Sequence, residues 1–372
     1  MSIVILKSEL QRQGGLEKMT LRIARAFSER GHPVEILTTG ETQALSLPSS
    51  IQITSHRLSA PLSFLRVKEY EAFCTRELKK MEPKIVFGLD RNAFQTHLRA
   101  GNGVHAAYLE HRRRQEGLLK GVSFALNPLH RTLLKIEKRS FESPDLKLLI
   151  TNSHMVEKEI LRFYQTDPKK IQVIHNGVEW KEMQTHFDQW ESQREEKLKN
   201  LNSFQLLFVG HNWKRKGLDL LMRGLSLLPQ YDFHLSVIGN EKNSGYFYRL
   251  AKELNLEKKI SFLGRVSPTP FYQLADALVI PSLYDPFANV TVEALAMGVF
   301  VISSKTNGGH EVLTKDNGTV IEDLNDPTSI ASAIENALKF PKTRERAQQI
   351  RNSVSHLDFS HQLARLTSLC LP

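Results

Sequence analysis

Short apolar runs alternate with amphipathic stretches along most of the chain. In the first half, Ile3–Leu6 and Val34–Thr38 have the apolar, β-branched composition of buried strands, and Leu16–Arg30 between them repeats its apolar residues at helical spacing. The same rhythm predicts three later strands and one helix: strands Lys84–Gly88, Leu146–Thr151 and Ile171–His175, and helix Met155–Tyr164. Strands that alternate with helices are typical of a parallel sheet with crossover helices.

The alternation stops in a polar segment, residues 179–202, and then resumes. The second half is predicted to contain five strands and three helices: strands Gln205–Gly210, Phe233–Gly239, Ile260–Leu263, Ala277–Pro281 and Val299–Ser303, and helices Gly217–Leu228, Tyr246–Leu254 and Thr291–Met297. We therefore predict an α/β protein with two doubly wound domains, residues 1–178 and 203–355, joined by a linker at 179–202. Ligands of open parallel sheets bind beyond the carboxyl ends of the strands, so two facing sheets would place an active site in the cleft between them.

With 372 residues, 41% of them hydrophobic and 24% charged, the chain has the composition of a globular protein. No uncharged apolar run approaches the roughly 18 residues that a transmembrane helix needs, and the opening run, MSIVILK, is too short for a signal peptide. We expect a cytoplasmic protein. Its two cysteines, Cys74 and Cys370, are far apart, which excludes a disulfide framework and a zinc site built on thiolates.

The positive charge is concentrated in the first half of the chain. The net charge is +10, and residues 1–180, with 28 Lys and Arg against 19 Asp and Glu, contribute most of it. Such asymmetry indicates an anionic partner for this half: nucleic acid, a phosphorylated substrate or a membrane surface. No recognisable nucleic-acid-binding motif accompanies the charge, which counts against nucleic acid.

Motifs of several large enzyme classes are missing from the sequence. It has no Gly-x4-Gly-Lys-Ser/Thr phosphate loop, no Gly-x-Gly-x-x-Gly after the first strand, no His-Glu-x-x-His and no Gly-x-Ser-x-Gly. No two aspartates are separated by a single residue, so the short acidic motif that holds a divalent metal on a nucleotide diphosphate in many sugar transferases is absent too. We expect a reaction that needs neither a metal nor a cofactor.

Two loops between a strand and a helix have the composition of phosphate-binding loops. Gly14 and Gly15 follow the first strand, where glycines let the backbone approach a ligand and let helix N–H groups face an anion. Arg215 and Lys216 precede a predicted helix and would offer a diphosphate bidentate donors and a point charge. The structural alternatives are a plain tight turn at the glycines and a solvated charge run at the cations.

The stretch Ser282–Val301 is the most informative part of the sequence. A strand ends here, Asp285 follows, and the next helix has a second acid, Glu293, eight positions later. Asp285 in the loop can hold sugar hydroxyls, and Glu293 can bind a ribose diol. Free N–H groups at the start of the helix can face a phosphate: those of Phe287, Ala288, Asn289 and Val290. An acid on a helix surface is the alternative for Glu293, but its neighbours Val292 and Ala294 are apolar and favour burial with a polar partner.

Together these segments resemble the retaining glycosyltransferases of family 4, which have the two-domain GT-B fold. Within that family they are most similar to the lipopolysaccharide core glucosyltransferase I group. The resemblance extends nearly from end to end, through GGLEK, RIARAFSERGHPVEILTT, ITNSHMVEKEIL, KKIQVIHNGV, RKG, LADALVIPSLYDPF and VEALAMGVFVISS. The last block is highly specific in combination, and the others would be weak alone.

The resemblance implies a role for each candidate residue in binding a nucleotide diphospho-sugar. Asp285 falls on the first acid of the family's motif and should contact the donor hexose, and Glu293 falls on the second and should bind the nucleotide ribose. Arg215 and Lys216 match the cationic pair that neutralises the leaving diphosphate. The remaining matches are the glycine turn against the donor phosphates and the nucleobase contact: Gly14, Gly15, Arg265 and Val266.

Other positions match the family less closely. His105, in GNGVHAAYL, lies near the position where many members use a histidine against the donor hexose, and a structural histidine is the alternative. Asp285 replaces the commoner Glu and is shorter by one methylene, and Ala288 replaces a frequent Gly, so the donor sugar stays open. The resemblance also implies that a C-terminal helix, residues 356–372, packs back on the first domain.

Residues 99–139 combine basic and apolar side chains, as do interfacial segments that bind anionic lipid. The resembled group acts at the inner face of the bacterial inner membrane, with this part of the chain implicated in contact. Eight basic residues are assigned to this membrane and acceptor surface: Arg112, Arg113, Arg114, Lys120, Arg131, Lys135, Lys138 and Arg139. Ordinary packing of a helical pair on the first domain is the alternative.

These features and the resemblance predict a retaining hexosyltransferase. We expect a UDP-sugar donor, UDP-glucose first, and as acceptor a lipopolysaccharide inner core or similar anionic glycolipid at a membrane surface. Transfer of mannose, galactose or N-acetylhexosamine to another glycolipid or a polysaccharide is the alternative. Nucleotide-sugar epimerases and phosphorylases share the fold, and a nucleic-acid-binding protein would use the charge alone, but the block from Asp285 to Glu293 favours transfer.

Overall fold

The computed structural model of the protein describes residues 1–10, 15–40, 47–199 and 203–371. The chain divides into two compact units, Met1–His175 with Gln362–Pro372, and Asn176–His361. Each unit has its own parallel β-sheet and its own hydrophobic core. The expected α/β architecture of two Rossmann-like, doubly wound sheets is confirmed.

The first unit contains seven strands: β1 (Ile3–Glu9), β2 (Val34–Thr39), β3 (Ile51–His56), β4 (Ile85–Gly88), β5 (His97–Arg99), β6 (Leu148–Thr151) and β7 (Ile171–Val173). They form one parallel sheet in the order β3-β2-β1-β4-β5-β6-β7, with Ile3 opposite Val34 on one side and Ile85 on the other. The first five residues of β1 are all buried. Helices on both faces of a parallel sheet cause such burial, which explains the continuous apolar run in the sequence.

The second unit contains six strands: β8 (Phe204–Val209), β9 (Phe233–Ile238), β10 (Ile260–Gly264), β11 (Ala277–Ile280), β12 (Phe300–Ser304) and β13 (Gly318–Ile321). They pair in the order β10-β9-β8-β11-β12-β13, and every pairing is parallel. The chain order therefore reverses between β8 and β11. In an open parallel sheet, such a switch point leaves a crevice at the carboxyl ends of the two strands, where ligands bind.

Fifteen α-helices lie in the described part of the chain. The first unit has α1 (Gly15–Glu29), α2 (Ser63–Met81), α3 (His105–Glu116), α4 (Leu118–Leu126), α5 (Pro128–Phe141) and α6 (His154–Phe163). The others are α7 (Gln184–Asp188), α8 (Trp190–Lys197), α9 (Leu218–Ser226), α10 (Ser244–Glu253), α11 (Thr269–Leu274), α12 (Asn289–Ala296), α13 (Pro327–Leu338), α14 (Arg344–Ser353) and α15 (Phe359–Cys370). Side-chain caps fix several starts: Asn127 accepts from Leu129 N ahead of α5, and Ser153 from Val156 N ahead of α6.

The segment expected to be a linker, residues 179–202, differs from that expectation. It contains α7 and α8, and Phe187 and Trp190 are buried in the core of the second unit. Arg194 of α8 also binds the buried Asp276 at 2.7 Å. These anchors make the segment part of the second unit, and the division of the chain falls after His175, not after residue 178. The many charged residues around the two aromatic anchors concealed them in the sequence.

Three strands had no clear signal in the sequence. β3 and β13 are edge strands, and only part of each is buried, so neither reads as a continuous apolar run. β5 is buried along its length but consists of His97, Leu98 and Arg99. Polar residues of this kind are unusual in a buried strand, so the hydrophobicity pattern of the sequence did not predict β5.

The last helix, α15, contributes to the core of the first unit through Leu366 and Cys370. This is the packing that the resemblance implied for the C-terminal segment. None of the helices in the described residues is long and apolar enough to cross a membrane.

Candidate active site

Three charged residues meet at the switch point of the second sheet. Lys216 follows β8 and Asp285 follows β11, and Lys216 Nζ donates to Asp285 Oδ2 at 2.6 Å. Arg215 Nη1 donates to the same oxygen at 3.0 Å and to the carbonyl oxygen of Tyr284 at 2.7 Å. Lys216 and Asp285 are 8% and 7% exposed. The sequence predicted both halves of this cluster, but not that they bind each other.

The electrostatics of the cluster keep Asp285 ionised. Burial raises the pKa of its carboxyl group, but the nearby charges and hydrogen bonds of Lys216 and Arg215 outweigh burial, and the pKa lies below its ordinary value. Two cations share one carboxylate, so the cluster keeps one net positive charge. Fixed cations at the carboxyl edge of a parallel sheet are suited to bind a diphosphate.

The backbone fixes the two loops that meet here. Gly217 has a φ of +78°, and a Cβ at this position would lie 2.0 Å from the carbonyl oxygen of Pro281. Leu283 N donates to the carbonyl oxygen of Arg215 at 2.9 Å. Only glycine fits this close approach of the two loops, and it places Arg215 and Lys216 against the loop of Asp285.

The start of α12 is held in place from outside the helix. The N-cap residue, Ala288, has no capping side chain; its N–H donates to Asn307 Oδ1 at 3.0 Å. Asn307 also accepts from Gly309 N at 3.1 Å and donates to Ser303 Oγ at 2.9 Å. The expected phosphate-facing residues lie at this helix start: Phe287 and Ala288 are buried, Asn289 is exposed and Val290 is half-buried.

Glu293, one turn into α12, is held by a buried tyrosine. Tyr272 Oη of α11 donates to Glu293 Oε2 at 2.9 Å, and burial, followed by the neighbouring carboxylate, raises the pKa of Tyr272 well above its ordinary value. Lys342 Nζ in turn donates to the carbonyl oxygens of Tyr272 and Met297, at 3.1 and 2.9 Å. Burial lowers the pKa of Lys342 to about 7. Glu293 is therefore not a solvated acid on a helix surface, which was the alternative interpretation.

Arg265 and Val266 are exposed and directly follow β10. The strands of this sheet are parallel, so the loop after β10 emerges at the same edge as the loops of Lys216 and Asp285. The sheet thus gathers the predicted residues of the second half at one edge.

His105 and the glycine turn belong to the first unit. His105 is buried at the start of α3. Its backbone N–H donates to Glu137 Oε1 at 2.7 Å, and its ring Nε2 lies 3.1 Å from His130 Nδ1. Burial, followed by the charge of Arg91, lowers the pKa of His105 to about 3, so the imidazole is neutral at neutral pH. Gly14 lies outside the described residues, and Gly15 is the first residue of α1.

The predicted basic surface lies on α3, α4 and α5 of the first unit. Arg112 pairs with Glu116 at 2.6 Å, Arg114 with Glu110, and Lys138 with Glu142 at 3.8 Å. The rest of the eight form no salt bridge to any described residue: Arg113, Lys120, Arg131, Lys135 and Arg139. α4 of the same segment also has two exposed apolar side chains, Val122 and Leu126, which are 59% and 70% exposed.

Two family models match the chain. The model described as Glycosyltransferase Family 4 matches residues 13–181, and the model described as Glycosyl transferases group 1 matches residues 189–353. The protein is a family 4 glycosyltransferase. The family inferred from the sequence motifs is thereby confirmed.

Individual relatives of this glycosyltransferase agree with the family models. The lipopolysaccharide glucosyltransferase WaaG of Escherichia coli is 26% identical over 83% of this chain and 82% of its own. The O-antigen chain mannosyltransferase RfbU of Salmonella typhimurium is 29% identical over 64% of this chain and 62% of its own. The crystal structure of WaaG, described as a glycosyltransferase involved in lipopolysaccharide biosynthesis, superimposes with a TM-score of 0.80 at 21% identity and covers 99% of both chains. This likeness confirms the GT-B fold.

Sequence reasoning missed three residues that hold the candidate site in place. Tyr272 and Lys342 carry no signal in the sequence, because their roles depend on burial beside α12. Asn307 lies in the turn TNGG after β12, and a polar turn at the carboxyl end of a strand could have indicated it. The described residues contain no group of three or more His, Cys, Asp or Glu side chains that could hold a metal ion.

Proposed function

We propose that the protein transfers a hexose, glucose first, from a UDP-sugar to a lipopolysaccharide inner core or similar anionic glycolipid, with retention of the anomeric configuration. The observation that carries this proposal is the Lys216–Asp285–Arg215 cluster at the switch point of the second sheet. It offers a leaving diphosphate two fixed cations and a sugar one ionised carboxylate. The family establishes the class of reaction, and the donor and acceptor are the proposed part.

Lys216 and Arg215 would stabilise the negative charge that develops on the leaving diphosphate. Lys216 is buried, where a charge is screened less than in water, and Asp285 fixes its position. The same two cations would supply the charge neutralisation that a divalent metal provides elsewhere, so we propose transfer without a metal or other cofactor. The leaving diphosphate would help to deprotonate the attacking hydroxyl, in a front-face reaction without a covalent nucleophile.

The remaining donor contacts would come from α12 and the loop after β10. Asp285 would bind hexose hydroxyls, and Glu293, with one oxygen held by Tyr272, would accept from the ribose diol. Of the amides predicted to face the diphosphate, those of Asn289 and Val290 at the start of this eight-residue helix would do so, because the N–H of Ala288 is already bonded to Asn307 Oδ1. Arg265 and Val266 would contact the nucleobase.

In the first unit, we propose that Gly14 and Gly15 lie against the donor phosphates and that His105 contacts the donor hexose. The neutral state of His105 suits a hydrogen bond to a sugar hydroxyl more than it suits a charge on phosphate. The basic surface of α3 to α5 would hold the enzyme peripherally on an anionic membrane, at its cytoplasmic face, and present the site to a glycolipid acceptor. The cations of this surface that have no salt-bridge partner among the described residues, together with exposed Val122 and Leu126, support this assignment.

Mannosyl transfer to another glycolipid or a polysaccharide is the second candidate. The similarity to a protein named as an O-antigen chain mannosyltransferase favours it. The shorter Asp285 at the sugar-binding position leaves the choice between donor hexoses open.

A thermal-shift series without metal tests the donor: UDP alone, UDP-glucose, UDP-galactose, UDP-N-acetylglucosamine, ADP-glucose and GDP-mannose. At a ligand concentration 100 times the Kd, binding stabilises the fold by about 2.7 kcal/mol, which is a readable rise in Tm. A rise with UDP and a larger one with UDP-glucose is expected. A selective rise with GDP-mannose would replace the first candidate by the second, and no rise with any nucleotide would contradict both.

A further inference from the structure

The first unit has a groove of about 480 Å³, lined on one side by three cations of the basic surface and on the other by residues of α2 that have no role in the proposals above. It runs between α2 and α5, two helices that are far apart in sequence. Its lining includes two aromatic rings and four cations: Phe64, Lys68, Phe94, Arg131, Lys135 and Arg139. Lys68 and Phe64 belong to α2 and Phe94 to the loop before β5, so the groove extends beyond the basic segment at 99–139.

The groove has an excess of positive charge. None of its four cations forms a salt bridge within the described ranges of the chain. One carboxylate, Glu71, lines the groove, and it already accepts from Asn92 Nδ2 at 2.8 Å and from Ala93 N at 3.0 Å. Burial raises the pKa of Glu71 above its ordinary value, and the charge of Arg139 acts against that rise. Lys68, Arg131 and Lys135 are the cations left for an anion.

The aromatic walls indicate what kind of anion fits. The guanidinium of Arg139 lies 5.4 Å from the ring centre of Phe94, and Lys68 Nζ lies 5.6 Å from that of Phe64, so each aromatic ring of the groove has a cation over it. Phe94 is 44% exposed. A small free anion needs the charges alone, whereas an amphiphile also covers apolar surface.

Apolar side chains continue at the ends of the same helices. Leu62, the N-cap residue of α2, is 53% exposed, and Leu126, two residues before α5, is 70% exposed. α2 leads into β4 and α5 into β6, so both helices begin at the carboxyl edge of the parallel sheet. The exposed apolar residues therefore lie at the same end as the helix starts, where a membrane surface would supply both headgroups and apolar chains.

We propose that the groove between α2 and α5 binds the phosphate headgroup of an anionic membrane lipid, with the adjoining apolar part of the lipid against Phe64 and Phe94. This inference rests on the proposed membrane association and names the place where one lipid would be held. It differs from diffuse adsorption because it requires Lys68 of α2, which lies outside the basic segment.

Co-sedimentation with vesicles of phosphatidylcholine containing phosphatidylglycerol tests the groove. Lys68→Glu reverses a charge in the groove, and Lys79→Glu makes the same change in the last turn of α2, where Lys79 is exposed and does not line the groove. Each cation near an anionic surface contributes about 1 kcal/mol, so Lys68→Glu should weaken binding about tenfold or more and Lys79→Glu by less than about threefold.

Further arms separate the outcomes. Phe94→Ala should weaken binding to the same vesicles, and free inorganic phosphate at millimolar concentration should not displace the protein. Equal losses of vesicle binding for Lys68→Glu and Lys79→Glu would contradict a lipid site in the groove and indicate diffuse adsorption. Displacement of the protein by phosphate would contradict a lipid as the ligand of the groove. If the unaltered protein failed to bind anionic vesicles at low salt, both the proposed membrane association and the lipid site in the groove would be contradicted. The nucleotide thermal shifts would still report separately on donor binding.

Discussion

Lysine, arginine and carboxylate side chains form two very different surfaces in this protein. At the switch point of the second unit, Lys216 and Asp285 are nearly buried and bonded at 2.6 Å. On α3 to α5 of the first unit, most basic side chains are exposed, and several have no carboxylate partner in the described chain. The comparison teaches that burial and pairing, not residue type, determine what a cluster of charges can do.

The physical reason is the dielectric environment of each cluster. A buried, hydrogen-bonded cation keeps its position while charge develops on a substrate, and it is weakly screened by salt. Exposed cations are screened, and they adapt to whatever anionic surface approaches them. The first arrangement suits one step of a reaction at one place, and the second suits attachment to an extended surface.

The largest effect is expected from Lys216→Ala. The change removes one electrostatic donor from the proposed leaving diphosphate, so turnover should fall by roughly 10²–10³. Transfer from UDP-glucose to an acceptor, or hydrolysis of the donor, is the measurement, with Tm recorded to exclude unfolding.

Lys214→Ala is the matched control. Lys214 is in the same loop, but its side chain is 64% exposed and bonded to Asp219 at 2.7 Å. Asp219 is 5% exposed, so Lys214→Ala removes the cation of a buried carboxylate and Tm should fall. Turnover at a temperature where the variant is folded should stay close to that of the unaltered protein. Unchanged turnover of Lys216→Ala would remove this residue from the mechanism.

Tyr272→Phe tests whether the buried shell of the second unit sets donor affinity. Without the phenol, Glu293 loses a hydrogen bond, and one to a charged group contributes about 1.5–3 kcal/mol. We expect about tenfold weaker UDP binding and a higher KM with a smaller change in kcat, measured by calorimetry and steady-state kinetics.

Tyr231→Phe is the matched control, because it removes another tyrosine hydroxyl of the second unit that donates to a glutamate. Tyr231 Oη donates to Glu335 Oε1 at 2.7 Å, and neither residue is among the proposed donor contacts. A loss of Tm without a change in UDP affinity is expected here. Equal effects of the two variants on UDP affinity would mean that Tyr272 does not position Glu293.

Salt should separate the two surfaces directly. Raising NaCl from about 0.05 M to about 0.5 M shortens the screening length several-fold, so vesicle binding by the exposed cations should fall severalfold or more. UDP binding at the buried cluster should change much less. Equal sensitivity of both would indicate that Lys216 is not shielded from solvent in the way its burial implies.

Most strands and the positions of the charged site residues could be predicted from the sequence. The contacts that could not be predicted depend on long-range packing. Buried strands such as β8 and β11 are continuous apolar runs, and the rule for parallel sheets placed Lys216 and Asp285 at their carboxyl ends. Their direct bond depends on β8 and β11 being neighbours, which no local pattern encodes. Tyr272 and the anchors Phe187 and Trp190 act through long-range packing, so sequence periodicity could not reveal them.

The smallest effect concerns Glu69 of the first unit, a carboxylate held mainly by backbone N–H groups, with His56 Nε2 3.2 Å from its Oε1. Glu69 in α2 accepts from the backbone N–H groups of Ser59 and Ala60 at 3.0 and 2.9 Å, and these bonds lower its pKa to about 2. Because the pKa of Glu69 is lower in the folded state, its carboxylate stabilises the fold at pH values above its ordinary pKa of 4.5. That stabilisation is lost as the pH falls from 4.5 towards 2. Glu69→Gln should therefore lower Tm by about one or two degrees at pH 7.

The difference in Tm between Glu69→Gln and the unaltered protein should stay constant from neutral pH to about pH 5 and shrink below it. Glu77→Gln on the same helix is the control, because the side chains of Lys80 and Arg76 lower the pKa of Glu77. Its effect should fade in high salt, whereas that of Glu69 should persist, since backbone N–H groups are not screened as mobile charges are. A Glu69 effect that vanished with salt would mean that long-range charge, not the main chain, holds this carboxylate, and the contrast with the cation-held Asp285 would be lost.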